Sequence, residues 1–384
     1  MVSSDITANV RRGPVGLEAL RASWEDLLAR QPRRRFFHEW GWYEAWLREL
    51  APRPQDVLFV ELRRDARALA IVPLVPGTQR RAGLRLRELR LPEHDHLPLA
   101  DIVCEAGLDA AQLLPALKRA LARERIRWDL LRFSMVLAES PLARGLEGAR
   151  LPRRVEPMKV CEQVDCGLPW EQFAARLSGN FRSNLNRARS RLARESDVRW
   201  QVAATPAEID ASFAAFLEVE ASGWKGREGT AIACRPELVR FYQRLIGHFA
   251  PADRLRINLL SVGGRTIAAQ FCPLDADTLY VYKLGYDEEY SRLAPGNALI
   301  EQMVRVGGEQ RRYRYINLVG NPPWFASWRP EGTPVHLVIL YARTLPAFAV
   351  RLLGAVRRWR RAQSRAPDPA PSPSPAPAAA AEST

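Results

Sequence analysis

Three short stretches in the second half of this chain hold residue types that chemistry needs. The first spans 290–308, Y-S-R-L-A-P-G-N-A-L-I-E-Q-M-V-R-V-G-G. A loop that enters a helix through Pro-Gly leaves backbone N–H groups aimed outward, and the helix dipole adds partial positive charge, which suits a pyrophosphate. Gly296 lets the backbone approach a phosphate closely, and Arg292 can add a charge-assisted contact. An ordinary Pro-Gly helix start would read the same way. The second stretch is Trp224-Lys225-Gly226. Lysine is scarce here, confined to Lys118, Lys159, Lys225 and Lys283. An ammonium can release a proton where a guanidinium cannot, so Lys225 could neutralise an anionic group or orient a carbonyl. A solvated loop lysine over a packed Trp224 is the equal alternative. The third is Y-V-Y-K-L-G-Y-D over 280–287. Strand alternation puts Tyr280, Tyr282 and Leu284 on one face and Val281 and Lys283 on the other. An unpaired buried ammonium is costly, so Lys283 is expected to open to a cleft unless a carboxylate pairs with it. Asp287, at the strand end, could serve as general base.

These residues must be held by regular elements. In the first half, helical spacing runs through Leu17, Leu20, Trp24, Leu27 and Leu28, then Trp40, Tyr43, Trp46, Leu47 and Leu50. A hairpin of strands 57–62 and 69–75 follows, then strands 84–91 and 100–103, a helix over 113–122 and a strand over 128–133. The second half repeats the theme. It has helices 208–220 and 237–249, strands 255–262 and 266–271 hairpinned across Gly263-Gly264, a strand over 278–284, a helix over 296–306 and a strand over 313–319. Two copies of one architecture make a cleft between them the natural site. The boundary is expected near 150–159.

The order from Ser222 to Trp328, opening S-G-W-K-G-R-E-G-T, resembles the second half of the CelD-like acetyltransferases of cellulose and exopolysaccharide biosynthesis. That family is a tandem branch of the GNAT superfamily related to the FemAB aminoacyl transferases. F-F-H-E-W-G-W-Y-E-A-W followed by A-I-V-P-L is similar to its first half. The resemblance implies an α/β fold of two GNAT-like domains, 1–155 and 156–342, each a mixed, largely antiparallel sheet flanked by helices. It implies an acyltransferase that takes acetyl-CoA or another acyl-CoA as co-substrate; a cytoplasmic location is expected from the scattered, unpatterned cysteines, and no metal is expected from the histidine spacing. Arg292, Pro295, Gly296, Asn297 and Ala298 would hold the coenzyme A pyrophosphate, although R-L-A-P-G-N-A meets the usual Q/R-x-x-G-x-G/A pattern only in part. Lys225, Lys283 and Asp287 are the catalytic candidates. Arg182, Arg189, Trp224, Tyr282 and Asn321 are the candidates for binding a sugar- or lipid-linked or other small acceptor, expected to be anionic. One departure matters. Phe325 stands where the family carries a lysine, and the role given to that lysine in the FemAB relatives does not carry over. Transfer from aminoacyl-tRNA, or a non-catalytic accessory of polysaccharide assembly, therefore stay open as alternatives, and nucleic acid is a partner only under the first.

Charge is concentrated. The chain carries +14, and thirteen of those charges fall in two segments, 176–194 with six arginines and 343–365 with seven, neither containing an acid. In the first, Leu177, Phe181, Leu185, Ala188 and Leu192 share a helical face flanked by arginines whose forks suit phosphate. In the second, Leu345, Phe348, Ala349, Leu352, Val356 and Trp359 lie opposite Arg351, Arg357, Arg358 and Arg361. This is a basic amphipathic helix suited to an anionic membrane surface, unless it docks on the body. From Ala366 the Pro/Ala-rich sequence has no side chains able to build a core and is expected to be a disordered tail. Five scattered cysteines argue for reduced, mostly buried thiols. His38, His94, His96 and His248 form no metal-ligand pattern.

Overall fold

The computed structural model describes residues 6–108, 110–146 and 151–363; the expected tail beyond 366 lies outside them. The chain folds as a mixed α/β protein around a ten-stranded sheet and a separate four-stranded sheet. The large sheet runs from Thr7–Arg12 through Leu58–Arg64, Arg67–Arg81, Leu84–Arg90, Leu130–Leu137, Glu331–Tyr341, Arg153–Asp165 and Tyr315–Asn317 to Thr278–Tyr280, with Val103–Cys104 paired to Arg67–Arg81. The small sheet is antiparallel, in the order Lys283–Tyr286, Arg265–Pro273, Leu255–Val262, Arg199–Ala203.

Among the described residues two pairings are parallel, and they occupy equivalent places. Leu84–Arg90 pairs parallel with Leu130–Leu137 after the helix Ala110–Arg123. Thr278–Tyr280 pairs parallel with Tyr315–Asn317 after the helix Pro295–Gln310. A helix crossover is what a parallel pair requires, and its recurrence is the internal repeat that the sequence suggested. The halves are also sewn together. The last strand, Glu331–Tyr341, inserts between Leu130–Leu137 and Arg153–Asp165, pairing antiparallel with both. The boundary drawn at 155 thus falls inside one continuous strand, Arg153–Asp165.

Local sequence explains the helices that matter most. Pro206–Ser222 starts on a reciprocal capping box: Thr205 Oγ1 accepts from the Glu208 N–H at 3.3 Å, and Glu208 accepts from the Thr205 N–H at 3.0 Å. Pro236–Phe249 buries Leu238, Phe241, Tyr242, Leu245, Ile246 and Phe249, a single apolar stripe. In Gly179–Leu192, Phe181, Leu185, Ala188 and Leu192 are buried as the spacing predicts, capped by Ser178.

Where the halves meet they share one core. Trp24, Phe36, Trp42 and Trp46 of the first half pack with Phe216, Phe241, Tyr242, Phe271, Tyr280 and Tyr282 of the second. Phe36 lies 4.7 Å from Tyr280 and Trp42 lies 5.5 Å from Tyr282, ring centre to ring centre, in tilted or edge-on geometries that aromatic pairs prefer. Around this core the helix Trp40–Glu49 crosses Pro236–Phe249 under a set of ion pairs. Glu44 accepts from His248 at 3.0 Å, and Glu49 accepts from Arg240 and Arg244, each at 2.7 Å.

The crossing depends on Gly41. A Cβ there would fall 2.4 Å from His248 Cγ and 2.7 Å from its Cβ, too close for any real contact and not relieved by a flexible side-chain end. Gly41→Ala is therefore expected to destabilise the protein by about 1–3 kcal/mol, the usual cost of overpacking. Denaturant unfolding should also show both halves melting in one transition. Two separated transitions, or unchanged stability in the variant, would contradict the shared core.

Candidate active site

The site is built on a broken strand. Sequence spacing predicts one strand over 278–284; the structure has two, Thr278–Tyr280 and Lys283–Tyr286. The first pairs with Tyr315–Asn317 and the second with Arg265–Pro273. At the handover, the Val281 N–H donates to the Asn317 C=O at 2.8 Å, while the Tyr282 N–H turns to the Phe271 C=O at 3.2 Å and the Tyr280 C=O at 2.8 Å. Beyond this point the two sheets part company. The break also shifts the phase of the strand. Tyr280 and Tyr282 face the shared core and Val281 the opposite one, as alternation predicts, but Leu284 packs on the Val281 side.

After the second segment the chain makes a short 3-10 turn, Glu288–Leu293, and enters the helix Pro295–Gln310. Ala294 takes a left-handed conformation, φ 49°, which turns the chain sharply into the helix. Pro295 occupies the first helical position, where its missing N–H costs nothing. The N–H groups of Gly296 and Asn297 then lack partners four residues back. The nearest atom to a Cβ built on Gly296 is Tyr286 Cδ1, 4.0 Å away, so this end of the helix is open. The other residues proposed for a phosphate cradle have structural duties. Ala298 is buried beside Leu192 and Leu260. Asn297 Oδ1 accepts from the indole N–H of Trp328 at 3.1 Å. The Arg292 side chain donates to Glu195 at 3.0 Å, and its carbonyl accepts from Arg191 at 2.8 Å, which ties the turn to the basic helix Gly179–Leu192.

Three of the four lysines gather about the broken strand. Lys225 bridges two elements, donating to the Leu284 C=O at 3.1 Å and pairing with Glu220 at 3.0 Å. Glu220 is buried and also accepts from the Ile232 N–H at 2.8 Å. Lys159 reaches from Arg153–Asp165 to the Val319 C=O at 2.9 Å, and burial lowers its pKa. Lys283 lies 5.7 Å from the Tyr282 ring centre, and among the described residues no carboxylate closes an ion pair with it. Burial, reinforced by the positive charge of Lys225, pushes Lys283 down to about 8. Such a lysine is partly unprotonated near neutral pH, so it can accept a proton as well as give one.

The first half contributes the loop His94–His96, which faces this cluster. Burial lowers the pKa of His94, with Lys283 and Arg235 adding to the effect. Burial, then Lys283 and His94, pushes His96 down to about 2. His96 is locked into the shared core. Its Nδ1 lies 2.9 Å from the Tyr242 hydroxyl, and its carbonyl accepts from the Tyr282 hydroxyl. Tyr282 is thus buried and engaged at the wall of the cluster.

Not every candidate joins the group. Asp287 is buried, caps the turn by accepting from the Glu289 N–H at 3.0 Å, and pairs with Arg265. Trp224 is half exposed instead of packed under Lys225, and its N–H donates to Glu288 at 3.3 Å. Asn321 is exposed in the loop after Tyr315–Asn317. Phe325 is fully buried with Trp328 in the core beneath Pro295–Gln310, so the side chain at this position points away from solvent. Arg182 and Arg189 lie exposed on Gly179–Leu192, Arg189 donating to Asn186 at 2.5 Å. Sequence reasoning passed over Lys159 and Glu220. It weighed His94 and His96 only as metal ligands, and among the described residues no group of histidine, cysteine or acidic side chains could hold a metal. The scarcity of lysine was the usable signal for Lys159.

Residues 179–326 match the family model described as an acetyltransferase (GNAT) domain. No well-characterised protein matches the sequence closely enough to be called a relative. Among solved structures, FemX superposes with a TM-score of 0.55 at 8% identity, covering 83% of this chain and 95% of that one. The C-terminal domain of a putative lysylphosphatidylglycerol synthetase from Agrobacterium fabrum gives 0.52 at 14%, covering 88% and 96%. L-PGS from Bacillus licheniformis gives 0.51 at 15%, covering 90% and 98%. At these identities the likeness is one of fold. Residues 179–326 contain the broken strand, the open helix start, Lys225 and Lys283, so the span that is similar to an acetyltransferase (GNAT) domain is the one that holds the candidate site.

Proposed function

We propose that the protein transfers an acyl group from an acyl-CoA, acetyl-CoA in the first instance, to an amine or hydroxyl of an anionic acceptor. The observation that carries this reading is the open N-terminus of Pro295–Gln310 at Gly296, directly after a strand that has left its neighbour. The free N–H groups and the helix dipole would take the pyrophosphate, and the gap between the diverging strands would take the extended thioester arm. The acceptor's nucleophilic atom attacks the thioester carbonyl, the new C–N or C–O bond forms, the C–S bond breaks and the coenzyme A thiolate leaves. The proton lost by the nucleophile goes to the neutral Lys283 amine, and the resulting ammonium passes it to the thiolate, which departs as the thiol. Holding both substrates in line would supply much of the rate. Lys283, near enough to Lys225 and Lys159 to feel their charges, favours an acceptor with a negative group. The setting implied by the CelD-like resemblance, acylation of an exopolysaccharide or envelope intermediate at the inner face of the cytoplasmic membrane, fits such an acceptor. Transfer from aminoacyl-tRNA is the second reading, favoured by the exposed arginines of Gly179–Leu192. It requires tRNA retention with steep salt dependence.

Two outcomes are expected. Calorimetry should detect acetyl-CoA or a longer acyl-CoA, and Gly296→Asp should weaken it by at least about tenfold, roughly 1.4 kcal/mol, at unchanged thermal stability. The space around Gly296 accommodates the side chain, while the carboxylate opposes the pyrophosphate. No binding to the wild type at high micromolar ligand removes the donor assignment. With an active acceptor in hand, the rate should rise with pH until about 8 and then level, as Lys283 loses its proton. Lys283→Met should flatten that limb and lower kcat by about 10²–10⁴, and Lys283→Arg should not restore it. A variant with the wild-type pH profile would exclude Lys283 as the proton acceptor.

A further inference from the structure

The helix Leu345–Gln363 follows the last strand, and its described contacts with the body lie in its first turns. Thr344 Oγ1 donates to Asp129 at 2.8 Å, and Ala347 and Val350 are buried against Leu86, Leu130, Ile339 and Tyr341. From Arg351 to Val356 every residue is exposed or half-buried. The helix therefore uses one narrow face to hold the body and leaves a second apolar face uncovered. Leu345 is 85% exposed, and Phe348 and Leu352 are each 54% exposed, with Leu353 and Val356 continuing the row. Burying such side chains is worth on the order of 1.5–3 kcal/mol each, so a row of them in water marks a surface that something covers.

Charge says what kind of surface that is. Arg343 and Arg351 are exposed beside this row, and Arg357, Arg358, Arg360 and Arg361 follow on the same helix. No acid occurs between 343 and 365. A protein groove would have to supply compensating carboxylates at many places at once, whereas an anionic bilayer supplies phosphates everywhere and an apolar layer just beneath them. A helix with an apolar row and a dense arginine complement lies in that interface. None of the described helices is long and apolar enough to cross a membrane, so this one would lie on it. We infer that Leu345–Gln363 docks the protein on an anionic phospholipid surface, its exposed apolar row entering the headgroup boundary and its arginines meeting lipid phosphates. This inference does not depend on the acyl-transfer reading.

Co-sedimentation of the full chain with vesicles tests it. Binding to phosphatidylcholine vesicles containing phosphatidylglycerol should exceed binding to pure phosphatidylcholine by at least about tenfold and weaken as salt is raised. The triple variant Phe348→Ser, Leu352→Ser, Val356→Ser should bind the anionic vesicles about tenfold more weakly, because the apolar row supplies insertion energy. All three side chains are exposed, so the melting temperature should stay that of the wild type. The inference is overturned by no binding to anionic vesicles at low salt, by equal binding to neutral ones, or by a triple variant that binds like the wild type. Retention of tRNA through these arginines without vesicle binding would overturn it too.

Discussion

A strand can pair with one neighbour on each edge, and the strand that starts at Thr278 changes neighbours halfway. Its first residues follow Tyr315–Asn317 and its last follow Arg265–Pro273, with the transfer made at Val281 and Tyr282. Everything at the site follows from that exchange. It divides the sheet, leaves the Lys283–Tyr286 segment without a partner on one edge, and points the chain into a helix whose N-terminus stays open. Lys225 stabilises the exposed edge by donating to the Leu284 carbonyl, a polar group that would otherwise lack a strand partner. Lys159 does the same for Val319 on the opposite side. Lys225 and Lys159 are thus placed by the need to satisfy a split sheet, and Lys283 sits close enough to Lys225 to feel its charge.

Such a split is held open by what lies behind it. Tyr280 and Tyr282 flank the break and are both clamped in the aromatic core shared by the two halves, the first against Phe36 and the second against Trp42. The halves are therefore mechanically one body, and the inserted strand Glu331–Tyr341 makes their sheets continuous. Largely buried ion pairs at the same interface, Arg254 with Glu39 of the first half and with Asp275 at 3.0 Å, contribute orientation more than net stability, since desolvation offsets much of their attraction. Burial pushes Asp275 up to about 7 even with Arg254 beside it, a measure of how dry this region is.

Much of this was legible in the sequence. The stripes of Pro236–Phe249 and Gly179–Leu192, the Gly-Gly hairpin and the Pro-Gly helix start appear where spacing put them, and the mixed, largely antiparallel fold is the one that the family resemblance implied. The misses have physical causes. The strand break leaves no trace in residue types, because Y-V-Y-K-L is good strand sequence throughout; only competition between two partners decides it. The boundary expected near 150–159 falls where the sequence is polar, yet from Arg153 the chain forms a central strand of the large sheet with few of its residues buried. Asp287 and Asn297 look catalytic or phosphate-binding by position, but a carboxylate at a turn start and an amide beside an indole N–H find local partners first. His94 and His96 could not be placed at all without the fold, because they lie nearly 190 residues from Lys283 and meet it only when the halves close.

The central claim is that the broken strand and the open helix start form the binding site for an acyl thioester. A crystal structure of the full chain with coenzyme A bound tests this most directly. The account predicts pyrophosphate oxygens within hydrogen-bonding distance of the Gly296 and Asn297 N–H groups, and the thiol end lying between Lys283–Tyr286 and the chain leaving Tyr315–Asn317. Coenzyme A ordered elsewhere on the protein, with these N–H groups facing solvent, would contradict it.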